Sequence, residues 1–167
     1  MNDLHIYNLP HTIFVIIVAL IIAIQSIVLH KAKPSQNVVN IYSYSIASII
    51  LFCVIITRIF DTKYNIDNNI DNTIWLHVIP TTWCSLCGIL YFVTVVFLKK
   101  KDKMLHFVGF LGLLGGLMCV LFPNFLSEIP FFNVRSFPSL IYHALMVILT
   151  LFLIQVKVFK PTFKKSK

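Results

Sequence analysis

The segment SFPSLIYHALMVILTLFLIQV (residues 136–156) contains no Lys, Arg, Asp or Glu. A charge-free stretch of about 20 residues is long enough to cross the hydrocarbon core of a bilayer as an α-helix. Its backbone groups must bond within the segment, because hydrocarbon offers them no water. The segment therefore predicts a transmembrane helix that carries a histidine, His143, within an apolar sequence.

Four further segments of the same kind extend this prediction to the whole chain. Hydrophobic residues make up 58% of the 167 residues and charged residues 12%, whereas a soluble domain has roughly 25% charged residues. We therefore expect a single all-α domain over residues 1–167, a polytopic membrane helix bundle that passes several times through a cell membrane. The five transmembrane helices are predicted at about residues 10–30, 38–59, 75–98, 104–123 and 138–158.

The positive charges indicate how the bundle is oriented. The net charge is +8, and eleven of the 14 Lys and Arg residues fall in the first loop, the third loop and the tail. By the positive-inside rule, this distribution predicts an outer N-terminus and an inner C-terminus. We expect these charges to contact anionic lipid and not nucleic acid. The eleven residues are Lys31, Lys33, Lys99, Lys100, Lys101, Lys103, Lys157, Lys160, Lys164, Lys165 and Lys167.

Two connecting loops stand out in composition. The second loop, around DTKYNIDNNIDN (residues 61–72), is polar with few apolar anchors, so we expect a flexible hairpin outside the membrane. The fourth loop, PNFLSEIPFFNVRSFP (residues 123–138), mixes prolines with phenylalanines. That composition favours the membrane interface or a re-entrant lid over open water.

Polar side chains within membrane segments are costly and are therefore candidates for function. His143 lies four residues after Ser139, which is roughly 6 Å deep at the helical rise. Pro80 disfavours helix before it, so the regular third helix is predicted to start or kink there, and Cys84 then lies four residues in, at the same depth. A buried imidazole can deprotonate a nearby thiol, so this pair predicts a cysteine nucleophile with its base. The alternative for His143 is a packing bond to a backbone carbonyl.

The spacing of Cys84 and Cys87 leaves other interpretations open. A membrane thiol oxidoreductase would relay electrons through a second cysteine pair in an outer loop, and no predicted outer loop contains cysteine. A metal site would use His77 with these two cysteines but lacks a clear fourth ligand. We therefore expect no metal and no other cofactor. Free cysteine also packs as a small hydrophobe, which is the role expected for Cys53 and Cys119.

Two further features relate to packing and lipid. Gly109, Gly112 and Gly116 are spaced by three and four along GFLGLLGGLMCVLF (residues 109–122), and such a stripe allows a helix partner to approach closely. Arg135 precedes the last helix and is a candidate to bind a phospholipid phosphate, although an exposed arginine usually marks only a solvated edge.

Three motifs occur in a fixed order: IPTTWCSLCGIL (residues 79–90), GLLGGLMCVLFPNF (112–125) and SFPSLIYHALMVI (136–148). Together, over about residues 74–162, they resemble the YwaF-like integral-membrane acyltransferases, which include the mammalian enzyme acting on ether phospholipids. The resemblance carries that family's proline onto Pro80, its box cysteine onto Cys84 and its later histidine onto His143. Thr82 stands where the family has a histidine. Family members also continue into further membrane helices, so the resemblance implies a short member that lacks them.

The activity implied by the resemblance is acyl transfer through a thioester. Cys84, activated by His143, would take a fatty acyl group from a phospholipid and pass it to a lysophospholipid. Candidate oxyanion donors are Thr81, Thr82, Trp83 and Ser85. The alternatives are a non-catalytic or truncated membrane protein that keeps the fold, and the thiol oxidoreductase. The supporting site residues are predicted to be His77, Thr81, Thr82 and Arg135.

Overall fold

The described part of the chain is an α-helical bundle. The computed structural model describes residues 8–68, 82–97, 102–127 and 129–158, and these ranges contain no strand. The predicted all-α helix bundle is therefore confirmed, while its orientation across a membrane stays a prediction. The helices are α1 (Leu9–Ala32), α2 (Gln36–Asp67), α3 (Trp83–Phe97), α4 (Asp102–Leu121) and α5 (Ser136–Gln155), with a short 3-10 turn at Asn124–Ser127.

The helices are apolar on their outer faces. α1, α2, α4 and α5 are each long and apolar enough to cross a membrane, and α3 is shorter over its described residues. Large apolar side chains such as Ile24 on α1 and Phe52 on α2 are about 60% exposed. A bundle that presents such side chains outward is suited to lipid and not to water. The chain is therefore a membrane protein.

Two helix boundaries differ from the prediction. α2 continues through Asp67, so the first part of the predicted flexible hairpin is helical. The reason is tertiary, because Arg135 binds Asp61 and lies over the ring of Tyr64. α3 begins at Trp83, because Thr82 is not helical and its carbonyl accepts the first helical bond, from the N–H of Leu86 at 3.1 Å. The predicted helix 75–98 is therefore interrupted at residue 82. Residues 69–81, including Pro80, lie outside the described residues.

α5 is the central helix and α1 is peripheral. Leu140, Met146 and Leu149 of α5 are fully buried, and α5 packs against α1, α2, α3 and α4. The Tyr91 hydroxyl on α3 bonds the Thr150 hydroxyl on α5, which also donates to the carbonyl of Met146 at 2.8 Å. These bonds satisfy buried polar groups where no water is at hand.

The attachment of α1 relies on a few polar contacts. The buried His11 bonds through Nε2 to the carbonyl of Val120 at 2.8 Å, near the end of α4. Gln25 donates to the carbonyl of Ile148 at 3.3 Å and accepts from the Tyr42 hydroxyl at 2.9 Å. These contacts join α1 to α2, α4 and α5.

The fourth loop packs onto the beginning of α5. Leu126 and Phe131 are buried against Leu140 and Phe14. The Ser136 hydroxyl donates to the carbonyl of Pro130 at 2.6 Å, which ties the loop to the first residue of α5. The loop is thus held at one end of the bundle.

The glycine stripe on α4 packs against other helices of the same chain. A Cβ on Gly116 would lie 2.7 Å from the carbonyl oxygen of His143, whereas a Cβ on Gly115 would lie at an ordinary 3.5 Å from Sγ of Cys84. Gly112 packs against the ring of Tyr91. The stripe therefore allows α4 to approach α3 and α5 closely. Whether it also binds a helix of another chain stays untested.

Gly116→Ala is expected to lower the free energy of unfolding by about 1–3 kcal/mol, because the added methyl group must displace the α5 backbone. Gly115→Ala is the matched control and should be neutral or slightly stabilising, since alanine favours helix and its Cβ fits. Thermal unfolding of the two variants in detergent measures the difference. Equal melting temperatures would contradict the close approach of α4 and α5.

Candidate functional site

A polar cavity of about 400 Å³ lies near the C-terminal ends of α2 and α4 and the N-terminal ends of α3 and α5. Each of the four helices contributes a reactive or charged side chain to its wall. These side chains are Arg58 from α2, Cys84 from α3, Cys119 from α4 and His143 from α5.

His143 is held with one ring nitrogen occupied and the other available. Its side chain is 3% exposed, and Nδ1 donates to the carbonyl of Ser139, one turn earlier, at 2.7 Å. Because a carbonyl only accepts, Nδ1 must carry a hydrogen, and in the neutral ring Nε2 then holds the lone pair. Nε2 is buried and has no hydrogen-bond partner among the described residues. A bond from His143 to a backbone carbonyl was the alternative considered from the sequence, as a contact for packing alone. In the structure, this bond also orients the ring so that Nε2 is available as a base.

Two thiols lie beside this imidazole. The Sγ atoms of Cys84 and Cys119 and a ring nitrogen of His143 are all within 4.8 Å of one another. The structure thus brings together the two residues that were paired by their predicted depth. It also adds Cys119, which the sequence had suggested was only packing.

The helix termini distinguish the two thiols. Cys84 lies in the first turn of α3, where the positive end of the helix dipole favours a thiolate. Cys119 lies in the last turn of α4, where the negative end opposes one. The helix dipoles therefore favour a thiolate at Cys84 over one at Cys119.

Cys87 lies elsewhere. It is 3% exposed and packs in the hydrophobic core with Val54 and Tyr91, and it does not belong to the cysteine and histidine group at the cavity. All four cysteines are free thiols. The CxxC spacing therefore does not describe the site.

The two arginines of the cavity have different partners. Nε of Arg135 is 2.7 Å from Oδ1 of Asp61. The charge of Arg135 is therefore already paired, which argues against the phosphate-binding role considered for it. Nη2 of Arg58 donates to the hydroxyls of Thr82 at 2.9 Å and Ser85 at 2.7 Å, which are neutral. Arg58 was missed because it lies at the end of the predicted helix 38–59 and its charge was weighed only for the orientation of the bundle. The available signal was that it is the first charge after a charge-free segment.

A comparison with family profiles gives a match to the TMEM164 family over residues 4–167. The chain belongs to the TMEM164 family. Neither the curated proteins nor the solved structures contain a match to it.

Membership of the TMEM164 family corrects the resemblance to YwaF-like acyltransferases, which is wrong as a family assignment. The match covers nearly the whole chain and is not to an acyltransferase family. Short motifs rich in Gly and Leu recur in membrane helices, because close helix packing demands small residues. Their order was thus a weaker signal than a match along the whole chain, and any activity must be argued from the site.

The remaining predicted site residues of this TMEM164-family chain have separate positions. Thr82 lies at the cavity, where its Oγ1 is 3.4 Å from the N–H of Ser85 and caps α3. His77 and Thr81 lie outside the described residues. By their position in the first turn of α3, the N–H groups of Trp83 and Cys84 have no acceptor within the helix.

The cysteines and histidine also form a set of potential metal ligands. Cys84, Cys119 and His143 offer two thiol sulfurs and an imidazole nitrogen, the ligand types that zinc prefers. This group differs from the one considered from the sequence, because Cys119 takes the place of Cys87 and His143 that of His77. Three protein ligands with an open fourth position is the arrangement of catalytic zinc sites.

Proposed function

We propose that this protein is a multi-pass enzyme of the cell membrane that transfers a fatty acyl group between a phospholipid and a lysophospholipid through an acyl-thioester on Cys84. The observation that carries the proposal is the proximity of the Cys84 thiol to an imidazole whose Nδ1 is fixed by a carbonyl. A nucleophile, a base and a group that orients the base form the general arrangement of covalent acyl transfer.

The first half of the reaction acylates the enzyme. The Cys84 sulfur attacks an ester carbonyl of the donor phospholipid, and its proton passes to Nε2 of His143. The carbon–oxygen bond of the ester then breaks, and the leaving alkoxide takes that proton from His143. A lysophospholipid departs and the acyl group stays on Cys84.

The second half reverses these steps with another lipid. The hydroxyl of an acceptor lysophospholipid gives its proton to His143 as its oxygen attacks the thioester carbonyl. The carbon–sulfur bond breaks, and the thiolate recovers the proton. One ester is exchanged for another, so the reaction needs no external energy source and no cofactor.

The surroundings of Cys84 support this chemistry in two ways. The N–H groups of the first turn of α3 are suitable donors to the oxyanion that forms when a carbonyl is attacked. The fourth loop contributes Ile129 to the cavity wall and is tied to α5 through Ser136. A bound lipid that displaces water from this cavity would favour transfer to a lipid hydroxyl over hydrolysis.

The proposal is tested by trapping the intermediate. Purified protein is incubated with phospholipid that carries a labelled acyl chain, then denatured and digested. We expect label on the peptide that contains Cys84, and its release by neutral hydroxylamine, which cleaves thioesters. Absence of any adduct on Cys84 would reject the acyl-enzyme.

The metal-binding alternative gives a different outcome in the same preparation. A zinc ion held by Cys84, Cys119 and His143 would protect both thiols from alkylation, and a chelator would restore their reactivity. Alkylation that is rapid and indifferent to chelator is the result expected of a free nucleophile.

A further inference from the structure

Arg58 lies where the apolar part of α2 ends. It is the first charged residue after the charge-free segment at residues 38–57, and Arg135 likewise immediately precedes the charge-free segment of α5. The ends of such segments lie at the level of lipid headgroups. Both arginines line the same cavity, so the cavity opens at the depth of the phosphates.

Among the described residues, no carboxylate forms an ion pair with Arg58. Asp61 forms its ion pair with Arg135, and the hydrogen bonds of Arg58 within the described residues go to the hydroxyls of Thr82 and Ser85. Its Nε is buried and has no partner among them. A partly buried guanidinium is stabilised by an anion, and Arg58 has further N–H groups that can donate to one.

Arg58 also joins two cavities. It lines the polar cavity beside Cys84 and an apolar groove of about 460 Å³ along α2. On the membrane side of Arg58, this groove is walled by Val54, Ile55 and Ile89. A cation flanked by apolar surface matches a ligand that has an anionic head and a hydrocarbon chain.

We propose that Arg58 binds the phosphate of a glycerophospholipid or lysophospholipid, with an acyl chain in the apolar groove, and so selects phosphate-bearing lipids for Cys84. This inference rests on the proposed function and names the residue that would bind the phosphate of its substrates. Arg58 contacts the side chain of Ser85, the neighbour of Cys84, at 2.7 Å. In a glycerophospholipid the ester carbonyls are only a few bonds from the phosphate, so this anchor would direct an ester toward the thiol.

Binding to the Cys84→Ser protein tests the inference without catalysis. The two probes are an oleoyl lysophosphatidylcholine and monooleoylglycerol, which share the chain and differ in the phosphate-bearing headgroup. Arg58→Gln is expected to lower the affinity for the lysophospholipid about tenfold or more and to leave the affinity for monooleoylglycerol within about twofold. Arg58→Lys should retain part of the preference, because it keeps the charge but not the planar fork.

Two controls separate phosphate binding from other effects of the substitution. Lys31→Gln removes an exposed cation that lines neither cavity and should leave both affinities unchanged. Thermal unfolding of Arg58→Gln should show that the fold is kept while the preference for the lysophospholipid is lost. Equal loss of both lipids in Arg58→Gln, or no loss of either, would overturn the inference.

A third arm identifies the source of the phosphate. Inorganic phosphate at millimolar concentration should displace little lysophospholipid, because it lacks the chain. Full displacement by inorganic phosphate would overturn the lipid assignment in favour of a simple anion site.

The thioester on Cys84 is a separate readout. Headgroup-selective binding without a thioester would reject acyl transfer alone, and a thioester with unaltered binding in Arg58→Gln would reject the role of Arg58 alone.

Discussion

Cys84→Ser is expected to reduce acyl exchange between labelled phospholipid and lysophospholipid by at least about a thousandfold. The substitution keeps the size of the side chain, so the packing beside Gly115 should be preserved. A serine hydroxyl is ionised far less readily than a thiol, and the proposed nucleophile is lost. The measurement is the rate of appearance of labelled acceptor in detergent micelles or vesicles.

Two other cysteines supply matched controls for this loss. Cys87→Ser should leave exchange within a few-fold, because Cys87 lies in the core and outside the group at the cavity. Cys119→Ser should have an effect of at most about tenfold, since Cys119 lies beside the imidazole but in the last turn of α4. Loss of exchange in Cys119→Ser with activity retained in Cys84→Ser would reverse their roles. Equal loss from Cys84→Ser and Cys87→Ser would favour redox chemistry.

His143→Asn is expected to slow acylation of Cys84 by about a hundredfold to ten-thousandfold, the usual contribution of a general base. The asparagine amide can still donate to the carbonyl of Ser139, but it has no basic nitrogen. The variant therefore separates proton transfer from anchoring of the side chain. Single-turnover labelling of Cys84 measures the acylation step directly.

The control for His143→Asn is the same substitution at an exposed histidine. His30 lies near the end of α1 and is exposed to the surroundings, so His30→Asn should acylate at the parental rate. An unchanged rate in His143→Asn, with the fold intact by circular dichroism, would remove His143 from the mechanism.

The helices were predictable because a segment that crosses hydrocarbon must be free of charge and must satisfy its own backbone hydrogen bonds. Segments without charge had to be helices, and α5 follows from the composition of residues 136–156 alone. The extension of α2 was not predictable in this way. The polar residues after Phe60 remain helical because Asp61 and Tyr64 meet Arg135, which is far away in the sequence.

The pairing of the site was predicted, but the count behind it was not confirmed. Counting four residues from Pro80 and from Ser139 placed Cys84 and His143 at one level, and the two groups do lie together. The helices begin at Trp83 and Ser136, however, so the count from those two residues does not explain the contact. Whether Cys119 faces the same point depends on the rotation of α4, which Gly116 sets by its contact with the backbone of His143. The rotation of one helix against another cannot be read from composition or spacing, so Cys119 was taken for packing.

Arg58 shows that the partner of a charged residue is equally hard to predict from the sequence. A count of loop charges treats every arginine alike, and Arg135 appeared to be the better candidate for lipid because it precedes the histidine helix. What distinguishes the two is which of them meets Asp61. Only the folded arrangement of α2 and α5 decides that.

The assembly of the cavity from four helices has a consequence for biosynthesis. A membrane chain is made and inserted from its N-terminus, so the thiols of α3 and α4 enter the bilayer before α5 has been synthesised. Until then Cys84 lacks the imidazole of His143. The proposed thiol chemistry would therefore become possible only as α5 docks, after the thiol has left the insertion machinery.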